Sequence, residues 1–291
     1  MENTSRILNE KIAIVTGAGR GIGRAISVRL AEQGARVIAI SRTMEELQQT
    51  VALIEDSGGN AFPFAVDISK QKDIDRVVSE THGSFGRIDI LVSNAGMQGP
   101  IGPLPQNDTE LWIQTLSINL IGTYLTMHAV LPFMIAQGRG KIINLSGGGA
   151  TGPRPNFSAY GASKAAIVRL TETTAEEMKP YNIQINAVAP GAINTRMLDD
   201  VLAAGHIAGT EYAAALKQKE TGGSSPDRAA ALVVFLASSA SDGLTGKLIS
   251  AIHDDWENWD AVRIHSMSNS AWLTLRRMDT HTLRPFMDKI R

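Results

Sequence analysis

Short runs of β-branched and aliphatic residues alternate along the chain with longer stretches whose apolar positions recur every three to four residues. The first unit reads KIAIVT (11–16), a glycine-rich turn, a helical stretch to Gln33, then ARVIAI (35–40). Strands this apolar suit a sheet covered on both faces, and the strand, helix, strand order predicts a parallel crossover. The alternation continues through NAFPFAV (60–66), RIDILVS (87–93), GKIINLS (140–146) and IQINAVA (183–189), with helices expected at 43–57, 70–84, 108–136 and 158–179. The pattern predicts an α/β fold, a doubly wound parallel sheet between two helical layers. Pro132 should kink the long helical stretch or mark its final turns, and Gly138-Arg139-Gly140 supplies the stop. The segment 194–225, Ala-rich and ending in TGGSSP, reads as a mobile excursion before a helix at 226–239 and the run KLISAI (247–252).

With 291 residues, 43% of them hydrophobic, core area is not limiting, and the pattern sets one domain over 8–250 followed by an extension over 251–291. The 28 Lys+Arg against 29 Asp+Glu leave a net charge of -1, which gives no broad attraction to nucleic acid or an acidic membrane. The opening MENTSRILNEK lacks the apolar core of a secretory signal, and apolar runs such as AALVVFLA (230–237) are short for a bilayer. The expectation is a soluble, cytoplasmic protein without nucleic-acid or membrane partners. The absence of cysteine removes thiolate nucleophiles, iron–sulfur clusters and thiolate zinc sites.

Candidate chemistry begins directly after the first strand, at Thr16-Gly17-Ala18-Gly19-Arg20-Gly21-Ile22-Gly23. Glycines let a backbone turn tightly and approach a pyrophosphate, whose charge is met by unpaired amides and the helix dipole. The spacing differs from G-x-G-x-x-G, but the strand-turn-helix context makes a dinucleotide site the better reading than a plain tight turn. The adenine-ribose end falls about 20 residues on, where a carboxylate selects NAD and an arginine accommodates the extra phosphate of NADP. Here the second strand runs Ile40-Ser41-Arg42-Thr43. With no carboxylate at that position, Arg42 and Arg20 favour NADP, NAD remaining possible; the bland reading of Arg42 is a solvated helix-start residue.

Further motifs follow in order: Ser93-Asn94-Ala95-Gly96, Asn119 in SINLIGTY, Tyr160-Gly161-Ala162-Ser163-Lys164, and Pro190-Gly191. Together with the glycine turn they make residues 8 to 249 resemble the short-chain dehydrogenase/reductase family. The resemblance implies a Rossmann-type sheet of about seven strands, a nicotinamide cofactor, a small alcohol or carbonyl substrate, and a homodimer or homotetramer. It also implies that Asp67 lies near the adenine, that Asn94, Ala95 and Gly96 run along the cofactor, and that Thr195 lies near the carboxamide.

Tyr160 and Lys164 are four apart, so a helix over 158–179 puts them on one face. A tyrosine with unperturbed pKa about 10 is a poor base at neutral pH, but a neighbouring ammonium favours phenolate, and a shift of about three units needs only about 4 kcal/mol. Tyr160 would then exchange a proton with the substrate oxygen while hydride moves at carbon. The resemblance adds Asn119 as support for a water relay to Lys164. In isolation each residue has an ordinary reading, a snorkelling lysine or a polar helix residue; in this register the catalytic one is preferred.

One position breaks the family pattern. The serine normally 13 residues before the tyrosine is Gly147 here, with Ser146 one residue early. Neighbouring strand residues face opposite ways, so Ser146 should point away from Tyr160 unless a bulge turns it back. An unreplaced oxyanion donor costs roughly 3–4 kcal/mol. Three readings stay open: a re-aimed Ser146, donation by the Gly147–Gly149 amides, or a cofactor-binding sensor or assembly protein with impaired turnover. An epimerase or dehydratase using the nicotinamide transiently is a further alternative. Thr151 reads as a loop residue and Ser158 as the cap of the Tyr160 helix.

The extension is unusual. Trp256, Trp259 and Trp272 cluster there, suggesting a cover for the substrate mouth or an interchain surface, or simply a tail docked for stability. Arg276, Arg277 and Arg284 are candidates for an anionic substrate. His253, Asp254 and Asp255 invite a metal site, but their irregular spacing reads as a solvated loop, so no metal is expected.

Overall fold

The computed structural model describes residues 6–277. Seven strands form its centre: β1 (Ile12–Thr16), β2 (Arg36–Ser41), β3 (Asn60–Ala65), β4 (Ile90–Ser93), β5 (Gly140–Leu145), β6 (Ile183–Ala189) and β7 (Leu248–Ser250). All pair in parallel, in the order β3-β2-β1-β4-β5-β6-β7. The order reverses between β1 and β4, which opens a crevice at their carboxyl ends, where ligands bind in such sheets. The helices are α1 (Gly21–Glu32), α2 (Met44–Asp56), α3 (Gln71–Phe85), α4 (Thr109–Leu116), α5 (Gly122–Gln137), α6 (Ser158–Met178), α7 (Arg196–Ala204), α8 (Thr210–Thr221), α9 (Pro226–Ala237) and α10 (Ala261–Ser268).

The continuous apolar strands have a simple cause. In β1, Ala13 and Val15 enter a core beneath α1, α2 and α9, while Ile12 and Ile14 enter a second core beneath α3, α5 and α6. β2 divides its residues the same way, Val37 and Ala39 to one side and Ile38 and Ile40 to the other. A period-2 side-chain alternation buried on both faces leaves no polar positions to show.

The stretch expected as one helix over 108–136 is interrupted. α4 and α5 are joined through a π-helical turn at Ser117–Ile121, which inserts one residue into the hydrogen-bond ladder and moves Asn119 into a fully buried position. Pro132 lies inside α5 without ending it, and Gly138 closes the helix at φ +64°. Within Thr109–Gln137 an 18-residue window of this combined helix reaches a mean hydropathy of 1.4, and the helix is long and apolar enough to cross a membrane, a property that short apolar runs concealed. Here it is a flank of the sheet, packed against α3 and α6.

The chain after β7 folds back. Trp256 and Trp259 are 5% and 8% exposed and pack on Phe235 of α9, with ring centroids 5.8 and 6.5 Å away. Ile264 and Met267 of α10 extend the same core. Neither tryptophan lines the crevice; both close the outer side of the α9 layer. Beyond α10, the Leu275 amide and Arg276 both bond to the buried Glu172 on α6, which also pairs with Arg169. Arg276 is thus engaged in docking the tail, and Arg284 lies outside the described residues. Trp256→Ala is expected to destabilise the whole domain by about 3–5 kcal/mol; a urea unfolding midpoint equal to that of the unaltered protein would show that the tail packs elsewhere.

Candidate active site

The crevice is a cavity of about 690 Å³. Gly17, Arg20, Gly21, Ile22 and Gly23 form its floor; Ser41 and Arg42 close one end; Asp67, Asn94, Ala95, Gly96 and Thr195 follow along its length. Gly17 turns at φ +67° as the chain leaves β1. A Cβ at position 23 would lie 2.1 Å from the Gly17 carbonyl oxygen and 2.4 Å from Asn94 Nδ2, so the close approach of turn and helix excludes any side chain there. Arg20, the cap residue of α1, offers no side-chain acceptor, which leaves the first-turn amides to an anion. Asn94 pins the arrangement: its side chain donates to the Thr16 and Gly17 carbonyls at 3.0 and 3.3 Å, and its own amide donates to Thr16 Oγ1 at 3.0 Å. A glycine floor, free helix amides and an elongated cavity are what an extended diphosphate ligand requires, and these residues fit a dinucleotide.

At the adenine-ribose end the structure corrects the sequence. A carboxylate does stand there: Glu46 on α2 lines the cavity, its Oε1 3.3 Å from Arg20 Nη1 and 3.2 Å from Arg196 Nη2. Attention to residues 41–43 missed it because Glu46 returns to the site only through the first turn of α2. Asp67 accepts from the Ser69 amide and hydroxyl at 3.0 and 2.8 Å. Burial works against its ionisation, but those bonds together with the Lys70 and Arg42 charges outweigh burial and hold the carboxyl below its ordinary range.

Beyond Gly96 lies the second cluster. Tyr160 and Lys164 share a face of α6; Lys164 Nζ donates to the Leu145 carbonyl at 2.8 Å and stands 5.5 Å from the Tyr160 ring centroid. Asn119 accepts from the Met97 amide at 2.8 Å, and donates to the Met97 carbonyl and to Ser163 Oγ, both at 3.0 Å. Ser163 in turn donates to the Tyr160 carbonyl at 2.7 Å. A Cβ on Gly96 would sit 3.1 Å from Asn119 Oδ1 and 3.7 Å from Lys164 Nζ, so three sequence-distant motifs meet at one point. Burial lowers Lys164 to about 8. Burial also pushes the Tyr160 phenol up, with the Arg154 charge acting in the opposite direction.

The serine question has a geometric answer. A Cβ at position 147 would come 2.7 Å from Tyr160 Oη, so the glycine gives its space to the phenol. Ser146 faces the other way, its hydroxyl donating to the Lys164 carbonyl at 3.3 Å. Ser158 is not the cap of α6; its hydroxyl accepts from Asn107 Nδ2 and Trp112 Nε1, each at 3.1 Å. The segment 194–225 forms two helices, α7 and α8, and Leu198, Val201, Ala208 and Ala215 pack over Phe157 and Tyr160, leaving the tyrosine 8% exposed. Tyr160, beneath this cover, and Lys164 do not line the cavity, and Pro190 and Gly191 are likewise outside its wall. Gln98, which carried no motif signal, does line it, and its buried Nε2 has no hydrogen-bond partner among the described residues.

A profile of the family described as short chain dehydrogenase matches residues 11–204. The short-chain reductase protein NovJ of Streptomyces niveus is 37% identical over 247 residues, 84% of this chain and 93% of that protein. An NAD+-bound xylitol dehydrogenase superposes with a TM-score of 0.78 at 32% identity, covering 84% of this chain and 98% of that one. A metagenomic short-chain oxidoreductase in complex with NADP gives 0.69 at 32% identity, covering 84% and 96%. Gly23→Ala should raise the dissociation constant for a nicotinamide dinucleotide by about tenfold or more, measured by quenching of tryptophan fluorescence; an unchanged constant would place the diphosphate elsewhere.

Proposed function

This chain belongs to the short-chain dehydrogenase/reductase family of oxidoreductases, and on that footing we propose that it interconverts an alcohol and a carbonyl by hydride transfer, preferring NADP. The observation that carries the reading is the meeting of Asn119 and Lys164 at Gly96, which lines the glycine-floored cavity, with the Tyr160 ring centroid 5.5 Å from Lys164 Nζ just behind that wall. When bound there, the nicotinamide supplies or accepts the hydride. Tyr160 gives its phenolic proton to the carbonyl oxygen in reduction and takes the hydroxyl proton in oxidation. Lys164, with its pKa drawn down to about 8 by burial, holds the positive charge that favours phenolate at neutral pH and binds the nicotinamide ribose. Asn119 keeps the Met97 backbone and Ser163 in register with α6 and supports the proton relay toward Lys164.

The oxyanion donor expected at position 147 is assigned to the Gly147–Gly149 amides, since the Ser146 hydroxyl is already engaged with the Lys164 carbonyl. The NADP preference rests on charge balance. Arg20, Arg42 and Arg196 stand against the carboxylates of Glu46 and Asp67 at the adenine-ribose end, and a 2′-phosphate would take the place of Glu46 between Arg20 and Arg196. Exposed Ile113, Ile121 and Tyr124 along α4 and α5 support a homodimer or homotetramer, and the cytoplasm is the compartment that goes with the same reading. Gly147 favours one rival, a cofactor-binding sensor or assembly protein; cofactor binding without turnover across alcohols and carbonyls of every class would select it. Net redox-neutral conversion with retained cofactor would select an epimerase or dehydratase.

Tyr160→Phe should keep cofactor affinity and lose about 10²–10⁴-fold in turnover, followed by NADPH absorbance; undiminished turnover removes Tyr160 from the chemistry. Arg42→Asp should weaken NADPH binding more than NADH binding, and equal losses in paired titrations would undo the cofactor assignment.

A further inference from the structure

The loop from β5 to α6 carries one charged side chain, Arg154, which the motifs did not single out. Its Nε and Nη2 both donate to Glu211 Oε2 on α8, at 3.1 and 2.8 Å. The guanidinium carbon stands 4.0 Å from the Phe157 ring centroid and 5.4 Å from that of Tyr160, about as near the phenol ring as the 5.5 Å of Lys164 Nζ. The Arg154 side chain is 17% exposed, so its charge is only partly screened by water. The glycines make this approach possible. A Cβ at Gly149 would lie 3.3 Å from Arg154 Cβ, and one at Gly148 would touch Cδ, Nε and Cζ at 3.8–3.9 Å; any longer side chain would compete with the arginine for that space. The run that removes the hydroxyl at 147 therefore lets a cation fold back along the loop toward the same tyrosine.

We propose that Arg154 is a positioning residue for the chemistry at Tyr160: a second positive charge, held in place by Glu211, that acts on the phenol together with Lys164 and offsets part of what the missing hydroxyl would contribute. This rests on the reading of Tyr160 as the acid and base. Ionisable groups on the elements packed about Tyr160 are Lys164 on α6, with Arg169, Glu172, Glu176 and Glu177 more than two turns beyond Tyr160 along it, Arg196, Asp199 and Asp200 on α7, His206 in the following turn, and Glu211, Tyr212, Lys217, Lys219 and Glu220 on α8; the loop 97–107 has none. The Arg154 charge works against the effect of burial on the phenol. The pair also joins α8, part of the cover, to the loop beside the catalytic residue, so the strength of the field depends on the cover being closed.

The phenolate ultraviolet absorbance of the full chain, titrated against pH and differenced against Tyr160→Phe, reports Tyr160 alone among the 4 tyrosines. Removing the cation with Arg154→Gln should raise the midpoint by about one unit. Removing the opposing anion with Glu211→Gln should lower it, and Arg154→Lys should shift it less than Arg154→Gln. A merely structural pair would loosen the cover in both glutamine variants and move both midpoints the same way. Midpoints that do not move, or that move together, overturn the proposal. Should Arg154→Gln fail to fold, Arg154→Met takes its place: an upward midpoint supports the proposal, and an unmoved or lowered one overturns it. If Tyr160→Phe keeps full turnover, the underlying reading fails; if it loses turnover while the midpoints stay fixed, only the role of Arg154 fails.

Discussion

The parting of β1 and β4 at their carboxyl ends is the constraint on which the molecule turns, and Asn94 is what holds it. Two strands that pair over Ala13–Val15 and Ile90–Val92 diverge just beyond, and a single side-chain amide spans from β4 to the Thr16 and Gly17 carbonyls. That bond satisfies carbonyls the sheet ladder no longer pairs, which would otherwise be costly to bury. With the Gly17 carbonyl pinned, α1 must start so close that position 23 tolerates no side chain. The floor of the cavity, the direction of α1 and the free amides at its start all follow from one junction.

The second half of the site is organised by burial. Tyr160 lies beneath a cover made by α7 and α8, in a small apolar cluster separate from the two cores beside the sheet. Burial acts on the two groups in opposite directions, pushing the Tyr160 phenol up and drawing Lys164 down to about 8, so in the closed site both neutral forms are favoured and a charge on either has to be supported by its neighbours. The same cover lies over Tyr160, which does not line the cavity. Glycines at positive φ stand within and after it, Gly205 and Gly209 before α8, and Gly222 and Gly223 after it, where backbone rotation is least costly.

The glycine run after β5 and the arginine beside it are fitted to one another. Gly147 gives its side-chain volume to the Tyr160 hydroxyl, Gly148 and Gly149 give theirs to Arg154, and Glu211 on the cover fixes the arginine. The tail follows a different logic. Trp256 and Trp259 add apolar area to the α9 side of the sheet, and Glu172, buried on α6, gathers the Leu275 amide, Arg169 and Arg276. Removing either arginine would leave that carboxylate less compensated, which is the expensive way to break a buried ion pair.

The order of strands and helices, the glycine turn and the Tyr160–Lys164 spacing were legible in the chain, because each depends on residues within one or two turns of one another and on apolar periodicity that local backbone geometry imposes. The family resemblance rests on the same local signals. Tertiary structure decided what lay beyond that range. Glu46 reaches the ribose end across α2, Asn119 enters the core only because a π turn shifts the helix, Arg154 meets Tyr160 through a loop with no regular period, and the tryptophans enter a core whose shape the rest of the domain sets. Direction and burial of a side chain are properties of packed neighbours, and a sequence read locally holds the neighbours along the chain but not those across it.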